Sequence, residues 1–239
     1  GIEVTCAYPW IIREFDYEHA DVRLRFFRVT GWNGTPRGRE MQRLAWQHAR
    51  KPAVSPMLPA NGPILRALSL PRVYGITNAV DTGVGEFIDR LDAALSSGLR
   101  MLQIRERGLD KDDLMAFATD VVARAHEAGA NVLVNGDVEF ARAAKADGVH
   151  LSSTALMRAT ARPLVDLVGA SCLDAAELAH AAALGVDFVV LGPVAATPSH
   201  PDAVGLGWKR FGDLVSGSSV PVYALGGMTP ASMKPAWTA

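Results

Sequence analysis

After Pro71 the chain alternates short apolar runs with stretches of helical periodicity. Seven of these runs are typical of β-strands: RVYGITN, RMLQIRE, NVLVNG, GVHLS, LVGASC, DFVVLGPV and PVYALGG. Between them, apolar residues recur at helical spacing in EFIDRLDAALSSG, DKDDLMAFATDVVARAHEAG and DAAELAHAAALG. Strands that are apolar throughout and alternate with helices form parallel sheets covered by helices. The alternation therefore predicts an α/β fold for this part of the chain.

Capping residues mark the ends of these helices. Asp110 precedes the second helical stretch and Gly129 follows it, and Asp174 and Gly185 stand in the same way around the third. An aspartate N-cap accepts hydrogen bonds from the first N–H groups of a helix, and glycine adopts the left-handed conformation that ends one. Asp137, ahead of VEFARAAKA, is interpreted as another N-cap rather than as a metal ligand.

Two architectures accommodate a parallel sheet of this kind. An open, doubly wound sheet would carry GxGxxG at its first strand-to-helix turn, and the turn ITNAVDTGVGEF lacks that motif in register. We therefore predict a TIM barrel, in which ligands lie at the C-terminal ends of the strands. A closed barrel has eight strands, so we expect residues 71–239 to lack the last one.

The first 70 residues have a different character. In VRLRFFRVTGW, Val22, Leu24 and Phe26 alternate with other side chains at the period of two that is typical of a half-buried strand. Asn33-Gly34 then provides a turn signal, and ILRAL predicts a short helix before Pro71. We predict a β-rich domain over residues 1–70 and the barrel over residues 71–239.

Composition restricts the partners of this chain of 239 residues. Its formal net charge of -1 gives no support for nucleic acid or a membrane surface as a partner. Cys6 and Cys172 form no metal-binding spacing and are interpreted as reduced thiols. No apolar run approaches the ~18 residues of a membrane span, so we expect a cytoplasmic protein, with homo-oligomers left open. Because the chain begins with Gly1, we expect its gene to start upstream.

Polar groups at the strand ends are the candidate ligand-binding residues. Arginine binds phosphate oxygens through paired hydrogen bonds. A pair of glycines at the start of a helix offers free N–H groups to an anion. Together the candidate residues predict a phosphorylated substrate. Thr229 and Pro230 are typical of the cap and first residue of that helix. The candidates are Gln103, Arg105, Arg107, Asn135, Ser171, Thr197, Ser199, His200, Gly226 and Gly227.

Several of these positions also have structural interpretations. Arg105 and Arg107 alternate along a strand and are equally typical of surface charges. His150 lies within an apolar strand and is interpreted as a core histidine bonded to the backbone. Asp187 lies at the start of its strand, and residues at that end of a barrel contribute to stability rather than to ligand binding. Cys172 has no local histidine and is interpreted as a buried small side chain.

The ordered motifs LQIRER, LVNGD, ADGVHL, VGAS, GVDFVVLGPV, TPSHP and VYALGGMTP resemble the thiamine phosphate synthase family and its thiazole tautomerase relatives, which share a TIM barrel. The resemblance covers Arg72 to the C-terminus. It implies a transferase that joins an aminomethylpyrimidine, supplied as its pyrophosphate, to thiazole phosphate, with Mg²⁺ stabilising the pyrophosphate that leaves.

The resemblance also implies a role for each matching position. Pyrophosphate would be held by Gln103, Arg105 and Arg107, where Arg107 replaces the family's usual lysine. Asn135 and Ser171 would face the pyrimidine and pyrophosphate. Thr197 and Ser199 would face the thiazole, and Gly227 would hold its phosphate.

The chain departs from the family pattern at four places. Gly136 stands where the family has one Mg²⁺ carboxylate, and the second carboxylate is absent from SSTA, Ser152 to Ala155. His200 replaces a lysine, which lowers the positive charge at neutral pH. Leu173 replaces the histidine of the tautomerases. We therefore assign no metal ligand and no catalytic residue in this chain.

Residues 1–70 resemble the C-terminal half of a MutT-type Nudix hydrolase, a group that hydrolyses oxidised nucleotides such as 8-oxo-dGTP. The resemblance rests on DVRLRFFRVTGWNGTPRGREMQRLAWQ followed by PMLPANGPILRAL, with Asn61 at the position that contacts the purine. Gly1-Ile2 would then end the Nudix box, whose glutamates would lie upstream. Glu14, Glu18 and Glu40 do not form the carboxylate cluster that binds Mg²⁺ in this chemistry.

Three functions follow from these resemblances. The first is an enzyme that acts on phosphorylated thiamine precursors and is fused to a partial Nudix hydrolase. The second is a module that binds the same precursors without turnover, as the missing carboxylates suggest. The third is a truncated product without activity.

Overall fold

The computed structural model describes residues 1–18, 20–58, 60–196 and 204–239. The chain divides into two compact units. The first unit consists of residues 1–70 and 192–239, and the second consists of residues 71–191.

The second unit contains six parallel strands whose spatial order follows their order in the chain. Neighbouring strands are paired in register, for example Leu102 with Val132 and Val149 with Val168. This order places all the C-terminal strand ends along one edge of the sheet. The strands are β3 (Gly75–Ile76), β4 (Met101–Ile104), β5 (Asn131–Asn135), β6 (Gly148–Leu151), β7 (Leu167–Cys172) and β8 (Phe188–Leu191).

Helices connect these strands, which confirms the predicted α/β class. Phe87 of α3 and Phe117 of α4 pack together with ring centroids 5.5 Å apart, in a core that includes Leu102 and Val132 of the sheet. The helices are α2 (Ala79–Thr82), α3 (Val84–Ser96), α4 (Lys111–Glu127), α5 (Val138–Ala143), α6 (Ser153–Arg158) and α7 (Ala175–Leu184).

The predicted helix caps are confirmed. Asp110 accepts hydrogen bonds from the N–H groups of Asp112 and Asp113, and Asp174 accepts one from Glu177. Gly129 and Gly185 follow α4 and α7 with φ of +68° and +76°, a conformation that glycine adopts without steric cost.

The opposite end of the sheet is tied together by aspartates. Oδ2 of Asp187 accepts hydrogen bonds from the Val168 N–H group at 2.8 Å and from Arg162 at 2.9 Å. Asp147 similarly accepts from the Val132 N–H group at 2.7 Å. The structural interpretation of Asp187 is therefore confirmed.

The first unit begins with an antiparallel hairpin of β1 (Glu3–Tyr17) and β2 (Ala20–Asn33). β2 confirms the predicted strand, but Leu24 is 40% exposed and does not join Val22 and Phe26 in partial burial. Leu24 pairs regularly with Arg13, and the register shifts of the hairpin lie elsewhere, so they do not explain its exposure. Gly34, with φ of +86°, follows the end of β2.

The rest of the first unit is made of short elements. They are α1 (Asn61–Ser69), α8 (Gly207–Val215), β9 (Val222–Ala224), a 3₁₀ turn (Pro230–Ser232) and α9 (Met233–Thr238). Helix α1 confirms the helix predicted before Pro71, and β9 is the last of the seven predicted strands, all of which form. Within this unit the rings of Tyr8 and Trp237 meet edge to face, with centroids 5.4 Å apart.

Both cysteines are free thiols, as predicted. In the described part of the chain no helix is long and apolar enough to cross a membrane.

Candidate functional site

A row of hydrogen-bonded side chains runs across the sheet of the second unit, from Tyr74, just before β3, to Ser171 in β7. Nδ2 of Asn135 donates to Oε1 of Gln103 at 2.9 Å, and Nε2 of Gln103 donates to the hydroxyl of Tyr74 at 3.3 Å. The Tyr74 hydroxyl lies 3.3 Å from Nδ1 of His150, whose Nε2 lies 2.9 Å from Oγ of Ser171. We call these five side chains the polar row.

Two inner members of the polar row are buried, and the third, Tyr74, is half-buried like the two ends. Gln103 is 2% exposed and His150 1%, whereas Asn135 and Ser171 are half-buried. Buried polar side chains are nearly always hydrogen-bonded, because an unpaired one costs about 1–3 kcal/mol. The row therefore satisfies its own interior and leaves its ends accessible to a ligand.

Sequence reasoning was wrong about the partners of His150. The imidazole is buried as predicted, but it bonds to two side chains rather than to the backbone. Gly169 on the neighbouring strand makes this possible, since a Cβ atom there would lie only 2.8 Å from Nδ1. The phenyl ring of Phe188 closes the same region against Tyr74, with centroids 5.0 Å apart.

The surroundings of His150 keep its imidazole neutral. Burial, with a smaller contribution from the positive charge of Arg105, lowers the pKa of His150 to about 3. At neutral pH only one ring nitrogen therefore carries a proton.

Arg105 and Arg107 follow β4, and they differ in burial. Arg105 is half-buried and Arg107 is exposed. Burial, reinforced by repulsion from Arg107, lowers the pKa of the Arg105 guanidinium. Within the described residues no carboxylate pairs with either side chain. A partly desolvated cation of this kind attracts an anionic ligand.

The carboxylates that follow the strands are occupied by backbone N–H groups. Glu106 accepts from Ala79 and Val80 at 2.8 and 3.0 Å, and this contact joins the loop after β4 to helix α2. Asp137 accepts from Glu139 at 2.8 Å, which confirms it as the N-cap of α5. The other carboxylates used in this way are Asp110, Asp174 and Glu177.

The residues present do not fit the Mg²⁺ site that the family resemblance implies. Gly136 has φ of +109° and open space where a side chain would stand. Ser152 caps helix α6, and Oγ of Ser153 donates to Glu177 at 2.6 Å. No group of three or more His, Cys, Asp or Glu side chains in the described ranges is placed to hold a metal ion.

Cys172 and Leu173 take no part in the row. Cys172 is 1% exposed, and burial raises the pKa of its thiol to about 12, so its predicted role as a buried small side chain is confirmed. Leu173 is exposed, and its N–H group donates to Glu177 at 2.7 Å.

In the first unit the two candidate glycines form a tight turn after β9. Gly226 and Gly227 have φ of +98° and +64°. A Cβ atom on Gly226 would lie 2.7 Å from Cβ of Pro193, and one on Gly227 would lie 3.0 Å from Cβ of Ala195. Only glycine fits both the space and the backbone conformation. We call this pair the glycine turn.

The segment after the glycine turn is capped as predicted. Thr229 and Ser232 form a reciprocal capping box, and Pro230 opens the 3₁₀ turn that leads into α9. Among the described residues, the N–H groups of Gly226 and Gly227 form no backbone hydrogen bond. Gly226 is buried, whereas Gly227 is exposed.

The remaining sequence candidates have separate positions. Asn61 is the exposed first residue of α1. Thr197, Ser199 and His200 lie outside the described residues. Sequence reasoning missed Tyr74, because an aromatic residue in an apolar run is typical of a core. It also missed Glu106, whose backbone partners lie 26 and 27 residues away.

Comparisons with known proteins identify relatives of this chain. The family model Thiamine monophosphate synthase matches residues 73–239. A thiamine-phosphate synthase of Limosilactobacillus fermentum is 36% identical over 169 residues, which are 66% of this chain and 78% of that protein. A thiamine-phosphate synthase of Methanoculleus marisnigri is 37% identical over 144 residues, 59% of this chain and 68% of that protein.

A solved structure resembles the fold. The thiamine phosphate pyrophosphorylase from Pyrococcus furiosus superposes with a TM-score of 0.56 and 24% sequence identity, over 68% of this chain and 78% of that one. This likeness concerns the fold, and the match of the family model to residues 73–239 shows that the chain belongs to the thiamine monophosphate synthase family.

Proposed function

We propose that the chain acts on the phosphorylated precursors of thiamine, with the pyrimidine pyrophosphate bound at the polar row and Arg105. One observation carries this proposal: the hydrogen-bonding row has a half-buried end at Asn135, the last residue of β5, and the neighbouring strand β4 is followed by a half-buried guanidinium without a described carboxylate partner. The row suits a flat heterocycle with polar edges, and the guanidinium suits its pyrophosphate.

The proposed reaction exchanges one bond for another. The bond between the pyrimidine methylene carbon and the pyrophosphate oxygen breaks, and pyrophosphate leaves with the electron pair. The lone pair of the thiazole nitrogen then forms the new bond to that carbon. In this chain Arg105, with Arg107 beside it, would stabilise the charge of the leaving pyrophosphate. Asn135 and Ser171 would orient the pyrimidine ring, and Gln103, which is buried with both amide groups engaged, would hold Asn135 in place rather than contact pyrophosphate.

The glycine turn is proposed to bind the thiazole phosphate. Support comes from its N–H groups, which have no backbone partner among the described residues, and from the absence of a side chain at both positions, which lets a phosphate approach the backbone. We keep Thr197, Ser199 and His200 as proposed contacts of the thiazole and its phosphate.

Turnover is expected to be slow and independent of a metal held by the protein. The carboxylates after β4, β5 and β7 are engaged by backbone N–H groups, and Gly136 supplies none. The same observation supports a second candidate function, binding of the precursors without transfer.

Two measurements on the purified chain separate these functions. Calorimetry with thiazole phosphate and with the pyrimidine pyrophosphate should show binding that persists in the presence of EDTA. With both precursors together, equal amounts of thiamine phosphate and pyrophosphate support the transferase, and binding without product supports the second function. No heat of binding with either precursor would overturn both. Arg105→Gln is the matched variant and should weaken binding of the pyrophosphate substrate alone.

A gain-of-function variant tests the interpretation of the carboxylates. The double variant Gly136→Asp with Ala155→Asp places carboxylates at the positions that the family resemblance indicates. We expect its product formation to increase with Mg²⁺, whereas the neutral pair Gly136→Asn with Ala155→Asn should not respond. Equal Mg²⁺ responses in the two pairs would contradict this interpretation.

We also propose that residues 1–70 derive from a MutT-like Nudix domain. The proposal is supported by the antiparallel hairpin, by helix α1 and by the place of Asn61 at the start of that helix. It predicts no hydrolysis of 8-oxo-dGTP by this chain, because Glu14, Glu18 and Glu40 do not cluster with other metal-binding side chains among the described residues. Release of pyrophosphate from 8-oxo-dGTP would refute that prediction.

A further inference from the structure

Glu106 lies between Arg105 and Arg107 in the sequence, yet it pairs with neither arginine. Its carboxylate accepts hydrogen bonds from the N–H groups of Ala79 and Val80 at 2.8 and 3.0 Å. In the part of the chain that the structure describes, no ion pair joins Glu106 to an arginine. The carboxylate is therefore engaged at the start of α2 and leaves both guanidinium groups to an anion.

Helix α2 depends on Glu106 because it has no cap of its own. The helix has four residues, and the side chain of Asn78, which precedes it, makes no capping hydrogen bond. The first N–H groups of a helix have no partner within the helix, and a side-chain oxygen usually accepts from them. Glu106 supplies these oxygens from the loop after β4, so its side chain joins that loop to α2.

Thr77 joins the same two segments on the other side of Arg105. Its N–H group donates to the carbonyl oxygen of Gln103 at 3.0 Å, and its Oγ1 accepts from the N–H group of Arg105 at 2.9 Å. Thr77 is 5% exposed, so water has little access to these bonds. The backbone of Arg105 is thus held by Thr77 before its Cα atom and by Glu106 after it.

Close packing at Gly108 brings the two segments together a third time. A Cβ atom on Gly108 would lie 2.9 Å from Cγ1 of Val80, which is closer than van der Waals contact allows. Val80 is also a residue whose N–H group bonds to Glu106. Contacts spread over residues 103–108 therefore hold the loop after β4 against residues 77–80.

We propose that Thr77 and Glu106 are positioning residues for Arg105, which fix its backbone so that the guanidinium is ordered before pyrophosphate arrives. This inference rests on the proposed function, in which Arg105 binds pyrophosphate. The rotamers open to a side chain depend on its backbone torsion angles, so a fixed backbone restricts where the guanidinium lies. A group that is ordered in advance loses less conformational entropy on binding. Among the described residues, the backbone of Arg107 makes no comparable bond.

The order of the two guanidinium groups is measured on the full chain without any ligand. Nitrogen-15 relaxation of the Nε–H groups should give Arg105 an order parameter at least about 0.2 higher than that of Arg107. Thr77→Val keeps the shape of the side chain but removes the acceptor, and in it the order of Arg105 should fall toward that of Arg107. Glu106→Gln should act in the same way, whereas Thr77→Ser should preserve the order. Equal order of the two arginines in the unaltered protein would overturn the proposal.

Calorimetry with inorganic pyrophosphate separates the position of Glu106 from its charge. Removal of a negative charge beside two arginines would by electrostatics alone strengthen the binding of an anion. We expect Glu106→Gln to weaken binding about threefold instead, because the amide places an NH₂ group against a backbone N–H group. Glu86→Gln removes an exposed carboxylate from α3 and is the matched control, with an expected change below about 1.5-fold. Tighter binding by Glu106→Gln would contradict the proposal.

The coupling of Thr77 to Arg105 distinguishes positioning from folding. Thr77→Val should weaken pyrophosphate binding about fivefold and Thr77→Ser less than about twofold. In the Arg105→Gln background Thr77→Val should add less than about 1.5-fold, because the side chain that it positions is absent. A full fivefold loss in that background would indicate a purely structural role and refute the proposal. If pyrophosphate does not bind the unaltered protein, the proposed function fails, and the relaxation measurement alone then decides whether Thr77 and Glu106 order Arg105.

Discussion

The polar row of the second unit and the glycine turn of the first unit offer hydrogen bonds to a ligand by different means. The row uses side chains from separate strands, whose geometry depends on strand register and burial. The turn uses backbone N–H groups, whose geometry depends on two left-handed residues packed against Pro193 and Ala195. A side-chain site is therefore sensitive to protonation and chemical identity, whereas a backbone site is sensitive to volume.

The largest effect should come from adding volume at the glycine turn. Gly226→Ala combines a left-handed conformation with a Cβ atom 2.7–2.9 Å from Pro193 and Ala195, so we expect a loss of about 3 kcal/mol in the free energy of unfolding. Urea unfolding measures it. Gly217→Ala is the matched control, because Gly217 has φ of +108° but open space around it, and it should lose about 1 kcal/mol. Equal losses would show that packing does not constrain the turn.

Acid should destabilise the polar row but not the glycine turn. The pKa of His150 is lowered to about 3 in the folded protein, so its contribution to stability is complete above the unfolded pKa of about 6.5 and is lost as pH falls below it. Between pH 7 and pH 5 we expect a loss of about 2 kcal/mol in the free energy of unfolding, measured with urea.

Two variants test whether His150 causes this loss of stability in acid. His150→Gln should remove it, and His48→Gln, which removes an exposed imidazole, should keep it. Persistence of the full sensitivity in His150→Gln would show that other groups are responsible.

A comparison of Arg105 with Arg107 tests whether burial of an arginine strengthens its binding of pyrophosphate. Arg105→Gln should weaken binding of inorganic pyrophosphate about tenfold, measured by calorimetry, because the half-buried guanidinium has lost part of its hydration before the anion arrives. Arg107→Gln should weaken it by only about twofold, since exposed charges contribute little. A larger effect at Arg107 would reverse the proposed order.

The smallest effect should come from Asp137. If its carboxylate serves only as the N-cap of α5, Asp137→Ala should lower the free energy of unfolding by about 1 kcal/mol and Asp137→Asn by less than about 0.5 kcal/mol. Pyrophosphate binding should not change in either variant, with or without Mg²⁺. A loss of Mg²⁺-dependent binding in Asp137→Asn would instead identify the residue as a metal ligand.

Much of the site could be predicted from the sequence because its members occupy strand ends. Gln103, Asn135 and Ser171 each occupy the last or next-to-last position of a strand, and parallel strands bring such positions to one edge. Their hydrogen-bond partners could not be predicted in this way, because they depend on register and rotamer. From the sequence alone, Tyr74 and His150 therefore resembled ordinary core residues, because their hydrogen-bond partners lie on other strands.

The sequence by itself determined the features that depend on near neighbours along the chain. These are the alternation of strands and helices, the caps at Asp110, Asp137 and Asp174, and the motifs that carry the family resemblance. Capping and periodicity act over a few residues, so their signals are local.

Tertiary structure alone decided which distant groups meet. It placed His150 between two hydroxyls, engaged Glu106 with the start of α2, and packed Gly226 against Pro193. Each of these contacts joins residues from different elements, and strand register and close packing set the distances between them. Burial and the charge of Arg105 set the protonation of His150, and the contact with α2 sets the occupation of Glu106. No local pattern in the sequence encodes either.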